Sequence, residues 1–181
     1  MSYNVTWPNA EYHEVLPGLF LGGHLWEVNG FQRDGAHSTI SEDRSWGYVV
    51  SAYFDGDNQE SVPRCDTRFV LFKDTEDGLS EETWERIRSA VDSVVDRWHR
   101  GHKVLVRCQA GYNRSGLIMA LVLMRLGFTA EGAINHLRKH RGKDVLVNPV
   151  FEGYVHERSG EYRYAQNLSE TEAIAGIGSL F

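Results

Sequence analysis

The sequence predicts an α/β protein whose central, mostly parallel sheet of about five strands is flanked by helices. Residues 104–106 form a short apolar run that is typical of a buried strand, and the apolar segment at 117–124 is long enough to indicate a buried helix. Apolar residues recur at helical spacing from Trp84 to Trp98, which predicts an amphipathic helix covering one face of the sheet. Strands that alternate with helices in this way indicate parallel β/α units.

The N-terminal half predicts short strands separated by polar loops. Turn-forming residues such as Pro17-Gly18 and the polar stretches between apolar runs set the boundaries. In chain order we predict an irregular arm at 1–13, two strands within 15–23, a short helical turn at 26–31, a polar loop at 32–47, a strand at 47–53, a loop at 55–66, a strand at 67–72 and an acidic loop at 73–78.

The C-terminal half predicts four helices with recognisable ends. Ser80, Thr129 and Asn148 are suitable N-caps, and Gly101 and Gly127 are suited to end the helices that precede them. Pro149 fits the first turn of the last helix. We therefore predict helices that begin after Ser80, near 114, after Thr129 and after Asn148, a strand at 103–107, and an extension without clear periodicity at 159–181.

Length and composition favour one soluble domain. The chain has 181 residues, 41% of them hydrophobic and 24% charged, and its formal net charge of -6 gives no general attraction to nucleic acid or anionic membranes. Two cysteines, Cys65 and Cys108, are too few for a disulfide framework. The N-terminus lacks a signal-peptide pattern and no apolar run reaches membrane-span length, so we expect a cytoplasmic protein.

The loop between the strand at 103–107 and the following helix carries the chemistry. Cys108 stands at its start and Arg114 at its end, with five residues between them. A strand–loop–helix turn gathers backbone N–H groups and a helix N-terminus around one point, which stabilises a thiolate and an anion. Arg114 can bind two oxygens of a phosphate with its planar guanidinium, and Gly111 permits a close backbone approach. Ser115 can donate its hydroxyl to the sulfur.

The segment Cys108-Gln-Ala-Gly-Tyr-Asn-Arg114-Ser115 resembles the C-x5-R-[ST] signature of the protein tyrosine phosphatase superfamily, most closely its small dual-specificity branch. The runs at 15–23 and 148–151 are also similar to segments of that branch, and the resemblance covers roughly residues 14–158, which we take as the catalytic domain. The family usually has His before the cysteine, whereas this chain has Arg107, which bears on the rigidity of the loop and the reactivity of the thiol.

The resemblance implies roles for further residues. Cys108 would be the nucleophile, Arg114 and the backbone amides of Gln109, Ala110, Gly111, Tyr112 and Asn113 would bind phosphate, and Ser115 would assist departure of the thiolate. The family's general acid is an Asp in the loop before the amphipathic helix. Asp74 aligns best with it, and Asp77 stays open because the loop is one residue short of the commonest spacing. For the side chains of Tyr112 and Asn113, three positions stay open: at the mouth of the phosphate-binding site, facing solvent, or bracing the loop.

The predicted function is hydrolysis of phosphate monoesters on proteins through a phosphocysteine, on phosphotyrosine and, as further substrates, phosphoserine or phosphothreonine. Asn113 also resembles the RNA 5′-phosphatase branch, which is one alternative; a catalytically weak phosphoprotein-binding module is another. The expected partners are a phosphorylated protein and a phosphate- or sulfate-like anion in the Cys108 loop. No cofactor, metal or membrane is required, and nucleic acid stays open only through the RNA alternative.

Three other features have simpler explanations in the sequence. The basic run at 138–143 is best explained as the solvated end of a helix, with recruitment of an anionic substrate as the alternative. His136 and His140 lie four residues apart, as metal ligands on a helix can, but surface histidines are the commoner case. Cys65 is an alternative disulfide partner for Cys108 under oxidation.

Overall fold

A computed structural model describes residues 5–34, 38–40, 43–53 and 64–161 and confirms the predicted α/β class. Its elements are β1 (Tyr12–Leu16), β2 (Leu19–Gly23), β3 (Trp26–Val28), β4 (Phe31–Arg33), β5 (Tyr48–Ser51), β6 (Asp66–Phe69), α1 (Glu81–His99), β7 (Val104–Cys108), α2 (Arg114–Arg125), α3 (Ala130–Arg141), α4 (Pro149–Glu157) and a 3-10 turn (Arg158–Gly160). Among these residues, no helix combines the length and apolar character needed to cross a bilayer.

The central sheet has five strands in the order β1-β2-β7-β5-β6. All neighbours are parallel except β1, which runs antiparallel to β2. Strand β7 therefore lies in the middle, with Gly23 of β2 beside its last residue, Cys108. In parallel sheets ligands bind beyond the carboxyl ends of the strands, and Cys108 stands at that edge.

The two faces of the sheet are covered differently. Helices α1 to α4 all contribute to one large apolar core, which also contains Val106 and Cys108 of β7. Leu105 belongs instead to a smaller cluster with Trp46 and Ile40 on the opposite face. Because side chains alternate along a strand, Arg107 points to the face of Leu105, away from the helices.

The predicted helix ends are confirmed. The side chains of Ser80, Thr129 and Asn148 accept hydrogen bonds from backbone N–H groups in the first turns of α1, α3 and α4. Gly101 and Gly127 follow the ends of α1 and α2 with φ of 81° and 107°, a region where a side chain would be strained.

Three predictions in the N-terminal half are wrong in detail. Residues 26–31 do not form a helical turn, because β3 and β4 are an antiparallel hairpin. Asn29 and Gly30 connect them with φ of 53° and 77°, as the two-residue turn of a hairpin requires. Within the predicted arm, the described residues 5–11 belong to no strand of the sheet, and Tyr12 opens β1. The first two residues of the predicted loop at 32–47 still belong to β4, which ends at Arg33. Residues 54–63 and 162–181, including most of the predicted C-terminal extension, lie outside the described residues.

Candidate active site

Cys108 is buried at the carboxyl end of β7, where it is 3% exposed. The hydroxyl of Ser115, in the first turn of α2, donates a hydrogen bond to its Sγ over 3.1 Å. A hydroxyl at this distance can donate to a sulfur that carries negative charge. The structure therefore brings Cys108 and Ser115 together.

The loop from 109 to 113 turns its carbonyls outward. Backbone N–H groups of residues 24, 25, 146 and 117 donate hydrogen bonds to the carbonyl oxygens of, in that order, Cys108, Gln109, Tyr112 and Asn113. The carbonyl oxygen of Ala110 accepts a hydrogen bond from the side chain of Arg141. By contrast, none of the backbone N–H groups from Gln109 to Asn113 donates to a residue that the structure describes. Unpaired amides gathered in one loop bind anions well.

Two glycines allow this loop to pack against β2. Gly111 has φ of 76°, and a Cβ there would lie 2.5 Å from the carbonyl oxygen of Gly22. A Cβ on Gly23 would lie 2.4 Å from the carbonyl carbon of Ala110. The loop is therefore held by direct contact between two backbones, for which only glycine leaves room.

Arg114 begins α2 and packs beside the loop. Its Nη1 donates to the carbonyl of Ala52 over 3.3 Å, and its guanidinium lies over the Tyr53 ring at 5.2 Å from the centroid. Its buried Nε makes no hydrogen bond to a described residue. The guanidinium is thus fixed in place while keeping a donor for an oxyanion.

The side chains of Tyr112 and Asn113 brace the loop, one of the three outcomes predicted for them. Both are buried, at 4% and 5% exposure. The Tyr112 hydroxyl donates to the carbonyl of Thr6 over 2.5 Å, and burial raises the pKa of this phenol to about 12. The Asn113 amide donates to Asp74 Oδ2 over 2.9 Å.

Asp74 and Asp77 have different surroundings although they share one loop. Asp74 accepts hydrogen bonds on both oxygens, from Asn113 and, over 2.8 Å, from Asn148. Asp77 bonds only locally: its carboxylate accepts from the Thr75 hydroxyl, and its own N–H donates to that hydroxyl. Both aspartates are exposed, but of the two only Asp74 is joined directly to the Cys108 loop.

Arg107 lies in a buried polar cluster on the face opposite Cys108. Burial lowers the pKa of Arg107 to about 10, and the attraction of Glu11 works against that shift. Burial raises the pKa of Glu11, whose carboxylate accepts hydrogen bonds from Ser38 and Thr39. Burial, followed by the charges of Arg107 and Arg114, lowers the pKa of His24 to about 3. Because the lowered pKa of Arg107 still lies well above 7, the residue before the cysteine is a cation at neutral pH.

Arg141 corrects the prediction that residues 138–143 form a solvated helix end. It is 4% exposed, and its guanidinium donates to the carbonyls of Ala10 and Ala110 over 2.7 and 2.9 Å and contacts Nδ1 of His13. Burial lowers the pKa of Arg141 to about 10. The side chain ties the N-terminal arm to the Cys108 loop.

The structure also shows the surroundings of Cys65, His136 and His140. Cys65 packs against the smaller cluster and Cys108 belongs to the helix-side core, so a disulfide between these free thiols would have to cross the sheet. Nε2 of His136 and Nδ1 of His140 are engaged by the carbonyls of Val15 and His136. Within the described ranges there is no group of three or more His, Cys, Asp or Glu side chains suited to a metal.

Residues 40–159 match the family model described as the catalytic domain of dual specificity phosphatases. This match covers more than half of the chain. The chain belongs to the dual specificity phosphatase family. Mouse dual specificity protein phosphatase 12 is 30% identical to this chain over 142 residues, which are 77% of this chain and 38% of the mouse protein. The chain thus spans less than half the length of that relative.

Solved structures of two other proteins illustrate the fold that this chain shares. Human DUSP28 superposes with a TM-score of 0.68 at 16% identity, over 88% of this chain and 99% of the human one. A mouse putative dual specificity phosphatase, complexed with zinc tungstate, gives a TM-score of 0.67 at 16% identity over 94% and 98% of the two chains.

Two features of the site were missed in the sequence. The contacts of Asn148 with Asp74 were hidden because Asn148 also fits a helix cap, a role that it performs as well. Arg141 had a readable signal, since it continues the buried stripe formed by Ile134 and Leu137 along α3. A cation at a buried helical position indicates a specific partner.

Proposed function

We propose that this protein is a cysteine-dependent phosphatase that hydrolyses phosphate monoesters on proteins through a phosphocysteine. The observation that carries the proposal is the loop from Gln109 to Asn113, whose amides donate to no described residue and lie beside the Ser115-bonded sulfur of Cys108. A ring of N–H donors beside a nucleophile and a guanidinium suits a tetrahedral dianion. The family neighbour bound to zinc tungstate also supports an oxyanion as ligand.

In the first half-reaction the Cys108 thiolate attacks phosphorus. An S–P bond forms, the bond from phosphorus to the ester oxygen breaks, and that oxygen takes a proton from Asp74. Arg114 and the loop amides stabilise the charge on the other phosphate oxygens as the bonds change. Proton donation matters most when the leaving oxygen is strongly basic, as a tyrosine phenolate is.

In the second half-reaction water replaces the thiolate. Asp74, now a carboxylate, takes a proton from the water, whose oxygen bonds to phosphorus while the S–P bond breaks. The Ser115 hydroxyl donates to the departing sulfur over the distance it already has, 3.1 Å. The products are inorganic phosphate and the starting Cys108 thiolate, so the cycle needs no cofactor.

Phosphotyrosine is the substrate that we propose first. A cavity of about 340 Å³ beside Arg114 is lined by Tyr53, Leu71, Phe72 and Lys73, with Ala52. Aromatic and aliphatic walls next to a phosphate site suit an aryl ester better than an alkyl one. Phosphoserine and phosphothreonine remain as further proposed substrates.

The reducing cytoplasm remains the location that we propose for the protein, since a catalytic thiol stays reduced there.

The first test is phosphate release by the wild type and Cys108→Ser from a phosphotyrosine peptide, a phosphothreonine peptide and a 5′-triphosphorylated RNA. We expect release from the phosphotyrosine peptide that Cys108→Ser abolishes. Preference for the RNA would move the protein to the alternative branch. Peptide that stays bound to both forms without release would make it a binding module.

The second test assigns the general acid. Asp74→Asn should lower kcat on a phosphotyrosine peptide by roughly 100-fold or more, because general acid catalysis contributes about that much. Asp77→Asn is the matched control from the same loop and should stay within about threefold of the wild type, since its contacts are local. The opposite pattern would make Asp77 the acid.

A further inference from the structure

Asp74 is held by two asparagine side chains from different parts of the chain. Asn113, in the Cys108 loop, donates from Nδ2 to Asp74 Oδ2 over 2.9 Å, and Asn148, before α4, donates from Nδ2 to Asp74 Oδ1 over 2.8 Å. Asn148 Nδ2 also donates to the carbonyl of Thr75 over 3.2 Å. Asp74 therefore has a defined orientation although it is exposed.

The two amides are themselves fixed. The backbone N–H of Asn148 donates to Asn113 Oδ1 over 3.1 Å, and Asn148 Oδ1 accepts from Val150 and Phe151 at the start of α4. Asn148 is fully buried and Asn113 is 5% exposed. Because each oxygen has a donor and each nitrogen an acceptor, neither amide can turn over without losing hydrogen bonds.

Few hydrogen bonds hold the middle of the loop that carries Asp74, although Phe72 packs against the core with its ring centroid 5.9 Å from that of Phe151. Residues 70–80 form no helix or strand. Val70 bonds to Ser51 at one end and Leu79 bonds to the Tyr154 hydroxyl at the other. Between these ends, the contacts with Asn113 and Asn148 connect the loop to the rest of the site.

We propose that Asn113 and Asn148 are positioning residues that hold Asp74 over the Cys108 loop, an inference that rests on the proposed function. A carboxylate has about four lone-pair sites, so the two amides leave others free for the proton that Asp74 transfers. Asn113 belongs to the loop that would bind phosphate and so couples the place of the acid to the place of the phosphorus. This role also accounts for an asparagine before Arg114 without an RNA substrate.

The role has a consequence that depends on the leaving group. Misplacing a general acid slows the release of a strongly basic oxygen far more than that of a weakly basic one. Phenyl phosphate releases a phenolate as basic as that of tyrosine, whereas 4-nitrophenyl phosphate releases a much weaker base. A residue that merely stabilises the fold would lower kcat/KM on both substrates alike.

The experiment compares Asn113→Ala and Asn148→Ser with Asn135→Ala on both substrates. Asn135 is a control on α3 that donates to Glu131 over 2.9 Å, a similar hydrogen bond outside the site. For each site variant, we expect the loss of kcat/KM on phenyl phosphate to exceed the loss on 4-nitrophenyl phosphate by roughly 10-fold. Asn135→Ala should leave that ratio unchanged, and two site variants guard against one failing to fold.

The same variants are then made with Asp74→Asn. If the asparagines act through Asp74, adding Asn113→Ala should leave the substrate ratio of Asp74→Asn unchanged. Equal losses on both substrates, or a further change of the ratio in the Asp74→Asn background, would overturn the inference. If Asp74→Asn itself does not discriminate between the substrates, the assigned acid fails, and the positioning role fails with it. A ratio changed by Asp74→Asn but by neither asparagine variant would overturn the positioning role alone.

Discussion

Three glycines allow the close contact between β2 and the Cys108 loop to be tested by adding single methyl groups. Gly101 has φ of 81° with nothing near its missing Cβ, so Gly101→Ala introduces backbone strain alone. Gly23→Ala places a Cβ 2.4 Å from the Ala110 carbonyl carbon, which is steric overlap without positive φ. Gly111→Ala does both, with φ of 76° and a Cβ 2.5 Å from the Gly22 oxygen.

The magnitudes follow from these geometries. An alanine in the left-handed backbone region destabilises the folded protein by about 1–2 kcal/mol. Replacing glycine also lowers the conformational entropy of the unfolded chain, which offsets about 0.4–1 kcal/mol of that loss. Gly101→Ala should therefore lower the free energy of unfolding by about 1 kcal/mol. Overpacking adds about 1–3 kcal/mol, so Gly111→Ala should lower it by about 2–4 kcal/mol and Gly23→Ala by about 1–2 kcal/mol.

Activity should separate the variants more widely than stability does. Moving from 2.5 Å to an ordinary contact of 3.4 Å displaces the loop by about 0.9 Å. A displacement of that size at the reacting centre can cost about 100-fold in rate, so we expect Gly111→Ala and Gly23→Ala to lose about 100-fold in kcat/KM on a phosphotyrosine peptide. Gly101→Ala should keep the wild-type value.

Urea unfolding and steady-state kinetics on the same preparations measure both quantities. The reasoning would be refuted if Gly111→Ala lost no more stability than Gly101→Ala and kept kcat/KM within about threefold of the wild type, a tolerance well below the change expected from a displaced loop.

The remaining predictions concern three buried side chains. Ser115→Ala removes a hydrogen bond to a charged sulfur, and such a bond is worth about 1.5–3 kcal/mol, so phosphocysteine hydrolysis should slow roughly 10–150-fold. Quench-flow experiments should then show the phosphocysteine accumulating in this variant. Turnover without such accumulation would contradict the prediction. Arg141→Met leaves two partly buried carbonyls, of Ala10 and Ala110, without their donor and should lower the free energy of unfolding in urea by about 2–4 kcal/mol. Arg125→Met removes an exposed ion pair and should cost less than about 1 kcal/mol. Equal costs for the two variants would count against the bracing role of Arg141. The pKa of His24 is lowered to about 3, so between about pH 6.5 and pH 3 the unfolded chain binds a proton that the folded protein does not bind. The free energy of unfolding should therefore fall by up to about 1.4 kcal/mol per pH unit as the pH is lowered from about 6 towards 3. His24→Phe should remove that part of the pH dependence, and an unchanged slope in this variant would contradict the prediction.

The hairpin at β3 and β4 carries a sequence signal that outweighs the helical turn predicted there. Asn29-Gly30 is among the strongest two-residue hairpin signals in any sequence, and the structure gives both residues positive φ. The prediction of a helical turn at 26–31 left this turn signal out of account, in a stretch too short for helical periodicity to decide. Helices α1 to α4 were predicted well because each has a long apolar stretch or a capping residue.

The sequence by itself determined the fold class, the helix caps and the Cys108–Arg114 loop. These depend on interactions between residues close in the chain, so spacing and residue type are sufficient to predict them. The tertiary structure decided which aspartate meets the loop, since Asp74 is joined to residues 39 and 74 positions away. It also decided that Arg141 reaches a carbonyl 31 positions away. Such contacts follow from how strands and helices pack against each other, and no local pattern contains that distance.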